Sequence, residues 1–251
     1  MSEDHADHTI HDALDLGYRR FDTAAMYGNE ALLGQALACY GAATAPEVCV
    51  TTKIWNADHG HRSALEACER SRRRLGVPRV GILLIHWPCP ARDQYVETWR
   101  AMIELQKQGL VETIGVSNFQ IEHIERLIGE TGVVPVMNQV ELHPHFQQRR
   151  LRTWHAERGI ATEAWSPLGR GSVFEDTTLQ RIARRHNRSV AQVVLRWHLQ
   201  VGNLAIPKAS SRERLRQNIE LGDFYLDDRD LDEIDSCDRN ERGGPDPCLV
   251  N

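Results

Sequence analysis

Lysine is nearly absent from this chain. Its basic residues are almost all arginine, and lysine stands only at Lys53, Lys107 and Lys208. A lysine kept against such a bias points to a place where a compact, titratable ammonium serves and a planar guanidinium does not. Long apolar runs are also missing: no stretch approaches the roughly 20 residues needed to span a bilayer. The opening Met1-Ser2-Glu3-Asp4 has neither a basic nor an apolar leader segment, so a soluble, cytoplasmic protein is expected. Cys39, Cys49, Cys68, Cys89, Cys237 and Cys248 are scattered without a CxxC, which reads as reduced thiols rather than a disulfide framework. Positive charge is not in excess, for the formal net charge is −5, and the basic face that nucleic acid requires is therefore not expected. The local run Arg70, Arg72, Arg73 and Arg74 reads as a solvated helix face. His5, His8 and His11, and the pair His143 and His145, read as solvent-exposed; with no HExxH and no zinc-spaced Cys/His quartet, no metal is expected.

What the chain does have is alternation. At 251 residues and 41% hydrophobic composition, it is long enough to bury a sizeable core. Short β-branched runs at 19–22, 48–52, 82–85, 113–116, 136–140, 160–164 and 204–206 read as strands. Between them, helical patterns cover 8–16, 30–40, 62–75, 95–108, 121–129, 151–158, 179–200 and 212–221. Strict alternation predicts a parallel sheet covered by helices. Polar or aromatic residues close every strand: Asp22, Lys53, His86, Ser117-Asn118, Gln139 and Glu141, Trp165-Ser166, and Lys208. In a (β/α) barrel that rim carries the active site; a doubly wound sheet would gather such groups at one switch point. No GxGxxG follows any strand. The expectation is a (β/α)8 TIM-type barrel, one domain over 1–251, with 240–247 as a tail. Only seven strands are found and a helix comes first, so the barrel reads as lacking its N-terminal hairpin and first strand.

Four rim residues make a chemical set. A phenol has a reference pKa of about 10, too high for ready exchange at neutral pH. A nearby cation favours the phenolate. Lys53 is the candidate cation for Tyr27, Asp22 its counter-ion, and His86 a neutral donor orienting a carbonyl oxygen. Such a site protonates that oxygen while a cofactor delivers hydride to carbon.

The segment Gly17-Tyr18-Arg19-Arg20-Phe21-Asp22-Thr23-Ala24-Ala25-Met26-Tyr27-Gly28-Asn29-Glu30 resembles the aldo-keto reductase signature. Thr52-Lys53-Ile54-Trp55 and Leu84-Ile85-His86-Trp87-Pro88 resemble the family's lysine and histidine motifs. Gly115 to Phe119, Asn138 to Glu141 and Ala164 to Leu168 resemble its nicotinamide-facing segments. The short tail is similar to bacterial diketogluconate-reductase-like members. The resemblance implies NADPH-dependent reduction of an aldehyde, ketone or diketone, with Asp22, Tyr27, Lys53 and His86 catalytic. It further implies that Ser117, Asn118 and Gln139 bind the carboxamide, that Trp165 stacks on the nicotinamide, and that Ser166 and Leu168 lie along the pyrophosphate. Lys208 would meet the adenosine-side phosphates, and Arg214 and Asn218 the 2′-phosphate and adenine. Ala209 stands where relatives usually carry Ser, and Ser210 or Ser211 takes that part. Trp55 and Trp87, with His86, would wall a pocket for a small-molecule carbonyl substrate. A monomer is expected.

Set against this is a second reading: a truncated relative that binds NADPH weakly, or that needs a partner or a domain swap because a missing strand leaves sheet edges unpaired. A start codon placed downstream of the natural one is a third.

Overall fold

The computed structural model describes residues 3–41, 45 and 47–251, and their side chains from residue 8. His5 lies outside the described side chains. The elements are α1 (Glu3–Asp15), β1 (Arg20–Asp22), α2 (Glu30–Cys39), β2 (Cys49–Ile54), α3 (His61–Leu75), β3 (Val80–Ile85), α4 (Tyr95–Lys107), β4 (Val111–Ser117) and α5 (Ile121–Thr131). They continue as β5 (Met137–Glu141), α6 (Arg149–Ala156), β6 (Ala161–Trp165), α7 (Thr177–His186), α8 (Val190–Gln200), β7 (Leu204–Ala205), α9 (Arg212–Ile219) and α10 (Asp228–Asp235). The seven strands follow chain order in the sheet. That order, with helical connections, is the parallel (β/α) barrel type, one strand short of eight among the described residues. No helix among them is long and apolar enough to cross a membrane.

Two compact units are distinguished, residues 1–138 with 247–251, and residues 139–246. In the first, β1 pairs with β2, β2 with β3 and β3 with β4, all parallel, with Lys53 opposite Leu84 and Leu84 opposite Gly115. Strand β3 reads Val-Gly-Ile-Leu-Leu-Ile and is largely buried, as a parallel strand covered on both faces must be. Leu14, Leu33, Leu37, Val50, Leu75 and Val77 form one buried cluster beneath α1 and α2. Gly34 permits a close approach of α2 to the end of α3: a Cβ there would lie 2.2 Å from the Leu75 carbonyl oxygen. Gly34→Ala should therefore destabilise the fold by about 1–3 kcal/mol, read as a lower urea midpoint; an unchanged midpoint would contradict the close approach. In the second unit β6 pairs with β7 in parallel, and Leu179, Ile182, Val193, Val194 and Trp197 are buried.

Three expectations need correction here. The helix expected over 179–200 is two helices. Asn187 adopts a left-handed φ of 52° at the end of α7, and Ser189 with Gln192 forms a capping box that starts α8. Helix α10 was not expected at all; Asp227 caps it by accepting the Asp230 N–H. The arginine run on α3 is not merely solvated, since Arg74 pairs with the buried Glu30 at 2.6 Å and Arg70 with Asp58 at 2.5 Å.

Candidate active site

Strand ends place the first unit's polar set. Asp22 is the last residue of β1, Lys53 the next to last of β2, and His86 follows β3 directly. Tyr27 closes the short 3-10 turn Ala25–Tyr27 after β1. Lys53 is 1% exposed. Its Nζ donates to Asp22 Oδ1 at 2.5 Å and to the Thr23 carbonyl at 2.9 Å. A buried ammonium tolerates desolvation only when so partnered. The same Nζ stands 5.3 Å from the centroid of the Tyr27 ring. Tyr27, 49% exposed, meets His86 edge to face with ring centroids 5.7 Å apart. Trp55 packs edge-on to His86 at 5.1 Å, and Trp87 stacks beside it at 6.4 Å. The four expected catalytic side chains and the two expected pocket tryptophans thus share one neighbourhood.

The acidity expected of Tyr27 runs the other way. Desolvation, and next the Asp22 carboxylate, push its phenol up to about 12. Lys53 Nζ, meanwhile, donates to Asp22 and to the Thr23 carbonyl. At neutral pH the phenol therefore carries its proton, the state a proton donor needs.

Burial, and then the Lys53 charge, lower His86 to about 3, so its imidazole is neutral. Its Nδ1 is buried with no hydrogen-bond partner among the described residues. Asn118, at φ 64°, donates from Nδ2 to the His86 carbonyl at 3.0 Å and to Ser117 Oγ at 3.1 Å. Asn118 thereby ties the ends of β3 and β4 together, a role the sequence did not suggest.

Desolvation likewise lowers His59 to about 4, His155 to about 4 and His198 to about 3. An unfolded imidazole takes its proton near 6.5, so below that pH the unfolded chain binds protons that the folded chain refuses. Stability is full above about pH 6.5 and declines as pH falls toward 3–4. Urea midpoints should drop between about pH 7 and about pH 5; a flat response over that window would contradict the neutral assignment.

The second unit carries the remaining expected residues. Gln139 Nε2 donates to the buried Glu163 carboxylate at 2.7 Å. Trp165 ends β6, and Ser166 follows with a left-handed φ of 48°. Leu168 caps the turn Gly169–Glu175. Lys208, Ser210 and Arg214 are exposed and Asn218 is partly buried. Ser211 accepts the Arg214 N–H and caps α9, so its hydroxyl serves the helix. His143 and His145 are buried, not exposed as expected: His143 Nε2 lies 3.4 Å from Glu141 and His145 Nε2 3.0 Å from Asp176. The carboxylates make burial of the rings affordable.

Ligand atoms of Glu122, His123 and Cys248, in the first unit, fall within 4.8 Å of one another. His123 Nδ1 accepts the Gln120 N–H at 3.1 Å, which in the neutral ring leaves the proton on Nε2. That nitrogen then offers an N–H and no lone pair to a metal. Sequence reasoning also passed over Thr23, Asn29 and Glu30 as functional positions, although all three lie inside the quoted signature.

The model of the aldo/keto reductase family matches residues 1–239. The chain is 47% identical over 240 residues to methylglyoxal reductase DkgA of Escherichia coli, covering 95% of this chain and 86% of that protein. It is 46% identical over 239 residues to an aldo-keto reductase of Mycolicibacterium smegmatis, with coverage of 95% and 86%. Among solved structures, Gox0644 superposes with a TM-score of 0.95 at 47% identity, covering 100% of this chain and 91% of that one. An Asp-to-Ala variant of Gox0644, solved in complex with NADPH, matches equally well.

Proposed function

This chain belongs to the aldo/keto reductase family, and from that membership we propose that it is an NADPH-dependent reductase converting an aldehyde, ketone or diketone to the alcohol. The observation that carries the reading is the buried Lys53 ammonium, paired with Asp22 at 2.5 Å and set 5.3 Å from the Tyr27 ring, with His86 against the same ring. When bound, reduced nicotinamide supplies hydride to the carbonyl carbon. Tyr27, protonated at rest, gives its proton to the developing alkoxide. The tyrosinate left behind is stabilised by Lys53, whose position Asp22 holds. His86, neutral, orients the carbonyl oxygen by hydrogen bonding without competing for the proton. Trp55 and Trp87 wall the pocket.

The residues present suit a phosphorylated dinucleotide. Lys208 and Arg214 flank the start of α9 in sequence, where the helix dipole favours anions. With Ser211 engaged in capping, Ser210 replaces the serine that Ala209 lacks. Ser117, Asn118 and Gln139 offer amide-matching groups, Trp165 an aromatic face, Ser166 and Leu168 the pyrophosphate turn, and Asn218 an adenine contact.

The test is direct. NADPH should quench protein fluorescence, and methylglyoxal or a nitrobenzaldehyde should be reduced at its expense. Absence of both would sink the proposal. Arg214→Ala should weaken NADPH binding by about tenfold or more, the value of one charge-assisted hydrogen bond, while leaving NADH binding unchanged; equal losses for both nucleotides would remove Arg214 from the 2′-phosphate.

A further inference from the structure

Glu30 stands three residues after Tyr27, and its side chain is 1% exposed. A carboxylate in that place is costly unless donors surround it. Oε1 accepts the Thr52 hydroxyl at 2.5 Å, and Oε2 accepts the Arg74 guanidinium at 2.6 Å. Thr52 is fully buried and immediately precedes Lys53. Arg74 lies in the last turn of α3, beside Leu75. Gly34 is one turn beyond Glu30 on α2, where backbone meets the Leu75 carbonyl with no room for a Cβ. The same helix face therefore brings Glu30 within reach of both donors.

The other end of the Tyr27 segment is tied as well. Thr23 N–H donates to the Thr51 carbonyl at 2.8 Å, and the Thr23 carbonyl accepts from Lys53 Nζ at 2.9 Å. Across the segment, the Thr23 hydroxyl donates to Asn29 Oδ1 at 2.6 Å. Residues 23–30, which carry Tyr27, are thus fastened at both ends to the strand that carries Lys53.

We propose that Glu30 is a positioning residue for carbonyl reduction: through Thr52 it sets the spacing between the Tyr27 turn and the Lys53 strand. The proposal rests on the reading of Tyr27 and Lys53 given above. Apolar side chains could fill the same gap with a smaller desolvation cost. A carboxylate with two directed donors instead selects one distance and one orientation.

Thr52→Val, nearly isosteric, removes the tie to β2 and leaves Arg74 on Glu30. It should lower kcat by about tenfold or more, as a small misplacement of reacting groups does. The KM for NADPH should stay at the wild-type value, and the alkaline limb of the kcat–pH profile should move. Thr52→Ser, which restores the hydroxyl, should return both kcat and the pH profile to wild type. Glu30→Gln should act in the same direction; if it does not fold, the Thr52 pair still decides. A Thr52→Val enzyme with wild-type kcat and pH profile overturns the proposal. If Tyr27→Phe is inactive while Thr52→Val is intact, only Glu30's role falls. A wild-type chain that reduces no carbonyl takes both readings down.

Discussion

Replacing Tyr27 by phenylalanine is expected to lower kcat/KM for carbonyl reduction by about 10²- to 10⁴-fold, the range that a positioned general acid contributes. NADPH affinity should hardly change. The ring is kept, so its contact with His86 at 5.7 Å and with the Lys53 charge at 5.3 Å survives the change. Only the O–H is lost, which isolates proton donation from packing. Because desolvation and Asp22 push the phenol up to about 12, the wild-type enzyme should stay active across neutral pH and lose its acid only on the alkaline side. Steady-state rates with a nitrobenzaldehyde, beside fluorescence titration with NADPH, measure both quantities. Equal turnover by wild type and Tyr27→Phe would end the assignment of Tyr27 as proton donor.

Lys53→Met should cost both stability and activity. Removing the ammonium takes from the Asp22 carboxylate, whose side chain is 14% exposed, its 2.5 Å ion-pair partner, and from the Thr23 carbonyl its Lys53 donor. Breaking one side of a buried pair of this kind costs about 3 kcal/mol, to be read from urea unfolding. Adding Asp22→Asn to Lys53→Met removes the carboxylate charge that Lys53 had balanced and should restore part of that stability. Reduction should stay lost in the double variant, because the role proposed for the Lys53 ammonium beside Tyr27 is not restored. Recovery of turnover together with stability would show that the pair is structural only.

Much of this site was legible in the residues. Asp22, Lys53, His86, Ser117 and Trp165 could be placed at strand ends because strand periodicity and the change from apolar to polar character are local signals. The break between α7 and α8 was also written locally, in Asn187 and in the Ser189-to-Gln192 capping box, but an apolar period running through it concealed the stop. Helix α10 was hidden by its acidic composition, although Asp227 caps it and Ile234 is buried. His143 and His145 were misread because polarity alone does not report burial. The carboxylate that accepts from His145 is Asp176, 31 residues away.

The order of strands and helices, the family, and the chemical groups at the strand ends can all be read along the chain. Each of these depends on residue type and spacing along the chain. The tertiary structure alone decided where each charge is directed: Lys53 into Asp22 and Thr23, Glu30 between Thr52 and Arg74, and Tyr27 toward a more tightly held proton. Desolvation and Coulomb attraction act over a few ångströms of space between residues distant in sequence, and a linear pattern holds no record of those distances.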